Sequence, residues 1–416
     1  MSEVEPVNRA RLDAEPPIPA PIEAAALREA ACELAARLAE ASAQADRDRI
    51  LPFDAMRALR DTRLTALRVP REFGGAGASW REAAAVFVTL ASGDPNVAQA
   101  FLGHFVFVER LRLMGSAAQH RRLLPLAAAG TLFGGAAAER GGQFRGEMRT
   151  RLVREGGHFL LSGEKHYSTG ALYADVLKIR ALDDAGEMVA ALVPAERAGI
   201  ERIDDWDGMG QRGSASGTTR LHGVTVHADE VMPMAPWLAR PHHTGAAAQL
   251  LHAAIEIGIG LAALGDAAGW ARHRTRPVRE SGVASASQDP YVLQTVGRMA
   301  ASIHAAEAMV EEAARLLDVA AEARFGGAGD AEVHAAAIAA SIAVAQARIV
   351  STDAALEATE RMYDAGGAAM TLRTDNFDRH WRNARTHTTH DPLAYKCRAV
   401  GNHVVNGAAP PLTFSY

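Results

Sequence analysis

Six short runs of alternating or β-branched residues lie between positions 131 and 240: 149–153, 158–161, 165–169, 176–181, 188–194 and 218–226. Each is bounded by Gly or Asp, residues that open turns. They leave no room for the crossover helices that parallel strand pairs require. The stretch predicts a small antiparallel sandwich or barrel and excludes a doubly wound α/β fold.

Helical patterns lie on both sides of it. Before it, Ala26, Leu27, Ala30, Leu34 and Leu38 keep a 3.6-residue stripe. Pro52 opens a short helix, and further helical runs start near Trp80, Asn96 and Ser116. After it come three long Ala-rich runs, 250–272, 289–325 and 331–365; glycines within 326–329 and at 366–367 mark turns after the second and third. Small residues on apolar faces let helices approach closely, so a bundle is expected. The predicted organisation is a flexible Pro-rich tail (1–21), an N-terminal helical domain (22–130), a β domain (131–240) and a C-terminal helical bundle (241–416). The fold class is mainly α with a central β unit.

The totals narrow the function. A net charge of −5 gives no support for a nucleic-acid partner. Cys32 and Cys397 lie too far apart for a redox or metal motif. The N-terminus has acids at Glu3 and Glu5 and lacks the basic and apolar regions of a signal peptide. No uninterrupted apolar run reaches bilayer length. A cytoplasmic protein with no membrane partner is expected.

The densest chemistry sits at 378–392, where Arg379, Arg382, Arg385, His380, His387 and His390 surround Trp381. Asp391 and Pro392 precede an apolar-periodic segment, so they read as N-cap and first residue of a helix. That places His390 at a helix N-terminus, where an anion and a neutral imidazole are favoured. Such a segment suits a phosphate at one end and oxygen chemistry at the other. It can equally be a solvated charged face. His387, His390 and Asp391 have metal-ligand spacing but no third soft ligand nearby, so no metal is expected.

Four other places can carry function. Trp206 lies in a Gly- and Ser-rich loop, 204–218, that includes Ser216; it offers a flat stacking surface or simply caps the β unit. Tyr167, Ser168 and Thr169 follow a strand, where hydroxyls can donate to a ring ligand or satisfy local backbone. His104 sits in an apolar helical stretch, as a core residue or a catalyst. Arg276 closes a long helix, where a cation is favourable with or without a phosphate. No G-x-G-x-x-G follows a strand, and there is no P-loop or G-x-S-x-G elbow.

The order of helices, β unit and bundle resembles the acyl-CoA dehydrogenase fold, and segments 69–77 and 161–165 are similar to recurring stretches of that superfamily. Segments 163–170, 204–218 and above all 377–392 resemble its flavin-dependent monooxygenase branch, which includes dibenzothiophene and methanesulfinate monooxygenases. The resemblance spans roughly residues 25–410. It implies reduced FMN as co-substrate, with FAD as the alternative, delivered by a separate NAD(P)H-dependent flavin reductase. It implies a homotetramer that inserts one oxygen atom of O2 into a small organic substrate, at sulfur, through a flavin C4a-hydroperoxide. Trp206 would stack on the flavin, with Tyr167, Ser168, Thr169 and Ser216 bordering the ring. His104 and His390 would face the oxygen-activation site with the Ser168 and Thr169 hydroxyls. Arg276, from one subunit, would hold the phosphate near Arg382 and Arg385, and His387 and Asp391 would complete the site.

Two departures bear on this. Dehydrogenases often carry a catalytic glutamate in a Tyr-Glu-Gly-Thr turn; this chain has Thr389-His390-Asp391-Pro392 instead. Relatives often have Gly-Asn-Ala where this chain has Gly134-Gly135-Ala136, which removes an amide donor. The rival readings are an FAD-dependent acyl-CoA dehydrogenase, an N-oxygenase of an amine or amino sugar, and a flavin-free scaffold.

Overall fold

The computed structural model describes residues 15–144, 146–411 and 413–416. Residues 1–14 of the expected flexible tail lie outside the described residues. The rest of that stretch is docked: Arg63 Nη2 donates to the Ala20 carbonyl (3.0 Å), and Pro19 lies against Gly74. A Pro-rich segment is already extended, so fixing it costs little chain entropy.

Five helices follow: α1 (Ala24–Asp48), α2 (Phe53–Asp61), α3 (Trp80–Gly93), α4 (Pro95–Met114) and α5 (Ala117–Ala128). Ser79 and Ser116 open α3 and α5 through reciprocal capping boxes with Glu82 and Gln119. Asp94 accepts from the Asn96 N–H (2.8 Å) while Pro95 takes the first helical position, so α4 starts directly where α3 ends.

The β region forms eight strands: β1 (Phe133–Ala136), β2 (Arg151–Glu155), β3 (His158–Lys165), β4 (Val176–Leu182), β5 (Met188–Pro194), β6 (Ile200–Ile203), β7 (Thr218–Val226) and β8 (Val231–Pro233). They join in the order β6-β7-β3-β2-β4-β5-β8, with β1 alongside β4. Two pairings are parallel, β1 with β4 and a single contact of β2 with β4. The antiparallel expectation missed them because the β2–β3 hairpin serves as the crossover between β1 and β4, and no helix is needed. Run 165–169 is not a strand. β3 ends at Lys165, and Tyr167 takes a left-handed backbone (φ 56°), which turns the chain. Strands β1, β6 and β8 are too short, and β1 too Gly-rich, to announce themselves.

One face of β4, with Val176, packs on α4 and α5. The other, with Leu177, Ile179 and Ala181, closes onto Leu161, Leu221, Val224 and Val226 of the neighbouring strands.

The chain then runs through α6 (Ala235–Leu238), α7 (Thr244–His273), α8 (Pro290–Phe325), α9 (Asp330–Gly366), α10 (Asp378–Thr388) and α11 (Leu393–Asn406). Helices α7, α8 and α9 pack on one another through alanines such as Ala254, Ala306 and Ala355. A Cβ on Gly258 would come within 2.5 Å of the Ala91 Cβ, so this glycine sets how closely α7 meets α3. By length and composition, α7 and α9 are apolar enough to cross a membrane, although neither is an uninterrupted apolar run. Of the apolar window in α7, 83% is buried inside the protein.

Candidate active site

Two loops meet at one end of the sheet. Thr169 Oγ1 lies 2.7 Å from Ser216 Oγ, which lies 2.8 Å from Ser214 Oγ. The backbone zips the same loops together, through Ser168 N–H to Gly217 O (3.0 Å) and Gly170 N–H to Ser214 O (3.1 Å). Ser168 Oγ is buried and has no hydrogen-bond partner among the described residues. A buried hydroxyl costs free energy unless something bonds it, so an unfilled partner position points here. Trp206 stands edge-on to Tyr167 at 6.2 Å between ring centres, and Tyr167 is exposed. The Trp206 indole N–H donates to the Gln211 carbonyl of its own loop (2.8 Å), which fixes the ring.

The Trp206 loop is held from outside. Arg49 pairs with Asp204 (2.5 Å) and donates to the Trp206 carbonyl (3.1 Å). Asn383 of α10 accepts from the Gln211 N–H (2.6 Å), and a Cβ on Gly210 would collide with the Arg382 carbonyl at 2.0 Å. Arg382 itself pairs with Asp46 (2.6 Å) and Asp378 (2.7 Å) and donates to the Met209 carbonyl. Its charge is therefore committed to these partners, and its expected part in phosphate binding is replaced by bracing this loop. Arg385 is exposed, with Nη1 3.4 Å from Thr388 Oγ1. Arg276 is exposed in the segment after α7.

A second group forms where α10 ends against α7. The buried Glu256 pairs with Arg348 and accepts from Ser351 (2.6 Å) and Thr352 (3.1 Å). His387 Nδ1 lies 3.3 Å from Glu256, and its Nε2 lies 3.1 Å from His252 Nδ1 and 3.2 Å from Gln99 Oε1. The His252 ring lies tilted against His390, 4.2 Å between ring centres. Burial pushes His252 well below the ordinary imidazole value, and neighbouring cations push the same way. Burial also lowers His387, against the pull of Glu256. Glu256 would be raised by burial, but Arg348 and His387 outweigh that and keep it ionised.

The expected N-cap did not form. The first turn of α11 starts at Leu393 with Pro392 as its cap residue, and Asp391 caps nothing. Its carboxylate instead accepts from Gln249 Nε2 (2.5 Å) and faces His390 Nδ1 (3.1 Å). Burial would raise Asp391, but the hydrogen bond and charge of His390, with Lys396 and Gln249, hold it well below the usual carboxylate range. His390 is thus placed by a fixed anion rather than by a helix dipole.

His104 has both ring nitrogens engaged. Nε2–H donates to the Thr65 carbonyl (2.8 Å), and Nδ1 accepts from the Phe133 N–H (3.1 Å). Those partners dictate the tautomer. Burial pushes its pKa down to about 4. This ties α4 to the start of β1 and leaves no nitrogen to move a proton, so His104 is the core residue of the two readings.

Helix α4 joins the two groups. Gln99 touches His387, and one turn later Gly103 comes to 3.9 Å of the Thr169 carbonyl, measured from an added Cβ. Residues four apart on a helix lie one above the other, so the hydroxyl cluster and the histidines face a common space along α4. Gln99, Gln249, His252 and Glu256 were not foreseen. The signal was present for three of them: positions 249, 252 and 256 form a polar stripe on an otherwise apolar helix.

A planar isoalloxazine fits the first group. Trp206 supplies an aromatic surface, Ser168 an unsatisfied hydroxyl, and Thr169 and Ser216 rotatable donors at one edge.

Residues 22–131 match the acyl-CoA dehydrogenase N-terminal domain and residues 250–394 the C-terminal domain of that family. The chain is 34% identical over 365 residues to dibenzothiophene monooxygenase of Mycolicibacterium goodii, covering 85% of this chain and 87% of that one. It is 30% identical to the probable FMNH2-dependent monooxygenase SfnC of Pseudomonas putida, over 92% of this chain and 95% of that one. The FMN-bound structure of TdsC from Paenibacillus sp. A11-2 superposes with a TM-score of 0.86 at 31% identity, covering 94% of this chain and 100% of that one.

Proposed function

Because this chain belongs to the acyl-CoA dehydrogenase family, in the branch of the dibenzothiophene monooxygenases, we propose that it is a reduced-FMN-dependent monooxygenase that places one atom of O2 on sulfur in a small organic substrate. The observation that carries this reading is the pairing of a stacking surface and a buried unsatisfied hydroxyl with a line of imidazoles one helical turn away. FMN, when bound, supplies the two electrons and the site at which O2 is activated. Trp206 and Tyr167 hold the ring, and Ser168, Thr169 and Ser216 bond its polar edge. His390, steadied by Asp391, stands at the open end, and His252, kept neutral by burial, lies between it and His387. Oxygen transfer wins over peroxide release only if substrate and protein exclude water from this place.

The same geometry argues against a dehydrogenase. That reaction needs a carboxylate free to take a proton. Glu256 is locked between Arg348 and His387, and Asp391 is held ionised by His390 and Gln249.

The sequence carries no nicotinamide-binding fingerprint, so reduced FMN would come from a separate flavin reductase. Assembly into a tetramer would cover Leu293 and Val319 of α8, both exposed in the single chain, and would let Arg276 reach a neighbour's phosphate.

The test is oxidation of enzyme-bound reduced FMN in air with dibenzothiophene present, measuring sulfoxide formed and hydrogen peroxide released. Sulfoxide formation by wild type, with His390→Ala shifting the yield toward peroxide, is expected. Peroxide alone from wild type, or anaerobic bleaching of FAD-loaded protein by an acyl-CoA, would overturn the reading.

A further inference from the structure

Three cations lie close together between α4, β4 and the C-terminal segment. Arg110 and Lys178 are buried and Arg180 is partly so. The field of Arg180 acts on Arg110, and those of Arg110 and Arg180 act on Lys178. Among the described residues, no carboxylate figures in the groups acting on any of the three. Both Arg110 Nε and Arg180 Nε are buried without a hydrogen-bond partner among the described residues. Their visible neighbours are aromatic faces: Phe414 lies 4.3 Å from the Arg110 guanidinium and 5.6 Å from that of Arg180, and Phe107 lies 5.8 Å from Lys178 Nζ. Glu139, on the segment after β1, is engaged by Lys165 (2.5 Å) and Thr150 (2.7 Å). Like charges gathered out of water repel and pull one another's pKa values down unless an anion sits among them.

The cluster is connected to the site already described. Within 96–111 the half-exposed residues of α4 are Gln99, Gly103 and Val106. Spacings of four and three put them on one face, and Arg110 continues that face four residues on. Opposite, Gly135 pairs with Lys178 in the parallel ladder, so both direct their side-chain positions to the same side of the sheet. A Cβ added to Gly135 meets nothing closer than the Lys178 carbonyl at 3.9 Å. The open stripe thus runs from the Gln99–His387 contact, past the Thr169 carbonyl, to the three cations. From Gly103 to Arg110 it is about 10 Å long.

We propose that Arg110, Lys178 and Arg180 bind the oxyanion group of the substrate, so that the enzyme selects organosulfur compounds carrying a carboxylate or sulfonate remote from the sulfur. Phe414 covers the anion, and the Gly103–Val106 face of α4 holds the body of the substrate between the two ends. This rests on the oxygenase reading for the role of the anion, but not for its binding. The phosphate of FMN offers the same chemistry, and the measurements below separate the two.

The first measurement needs no flavin. Sulfate should raise the thermal midpoint of the wild-type protein by a few degrees over sodium chloride of equal ionic strength. Lys178→Met should start from a higher midpoint, because burial and the neighbouring guanidiniums disfavour the ammonium there, and should lose that response. A wild type indifferent to sulfate, or a variant that responds as strongly, overturns the site. The second compares oxygenation of 4-(methylthio)benzoate with that of thioanisole. Wild type should prefer the anionic sulfide in kcat/KM, and Arg180→Gln should lower that preference at least tenfold. An unchanged preference overturns the substrate assignment, as does a tenfold loss of FMN affinity in its place. If the protein fails to bind FMN at all, the oxygenase reading falls while the sulfate result still decides the anion site.

Discussion

Replacing His104 with glutamine separates a structural imidazole from a catalytic one. A glutamine can reproduce both contacts, donating to the Thr65 carbonyl and accepting from the Phe133 N–H, but it cannot titrate. Burial holds the folded-state pKa of His104 at about 4 against an ordinary 6.5. The unfolded chain therefore takes up the proton first as pH falls. The stabilising contribution is complete above pH 6.5 and is lost as pH drops toward 4. Linkage puts the loss at about 2 kcal/mol between pH 8 and pH 5, and about 3 kcal/mol by pH 4. Other buried imidazoles, His242 among them, add to the wild-type slope but are common to both proteins. Urea unfolding at pH 8 and pH 5, followed by circular dichroism, should show a smaller pH effect in His104→Gln by that amount. Oxygenation should continue at a rate close to wild type. Equal pH effects in the two proteins would refute the burial argument. A hundredfold loss of activity, about 2.7 kcal/mol of barrier, would return His104 to the reacting centre.

Trp206→Ala should weaken FMN binding ten- to a hundredfold, about 1–3 kcal/mol by analogy with other aromatic stacking, as read by quenching of flavin fluorescence. Ser168→Ala removes a hydroxyl that has no hydrogen-bond partner among the described residues, so the thermal midpoint of the apo protein should hold steady or rise while FMN affinity falls. Arg348→Met leaves Glu256 buried with His387 as its remaining ionisable partner and should cost about 3–5 kcal/mol; adding Glu256→Leu should recover much of the lost midpoint in a thermal melt. Arg382→Ala frees Asp46 and the Met209 carbonyl, and should weaken FMN binding through a looser Trp206 loop while leaving the indole itself in place.

The long helices were legible because periodicity and caps are local. Asp94–Pro95 and Asp289–Pro290 open helices as such pairs should. Asp391–Pro392 has the same letters but a different outcome, because Gln249, 142 positions away, takes the carboxylate. The hydroxyl loop and Trp206 were recognisable as candidates from their residue types. Their mutual distance, and the unpartnered burial of Ser168 Oγ, depend on two loops meeting, which no local pattern encodes.

By itself the sequence determined the succession of helices, strands and bundle, since that follows from the spacing of apolar residues and from Gly and Pro. Tertiary structure decided what each polar side chain is for. Arg382 and His104 were matched to partners far along the chain and lost the roles their types suggested. His252 and Glu256, a polar stripe on an apolar helix with no partner legible nearby in the sequence, acquired roles because α10 ends against them. The physical reason is that a charge or imidazole in a protein takes its pKa and its hydrogen bonds from whatever packing brings within a few ångströms, and only the folded chain fixes those neighbours.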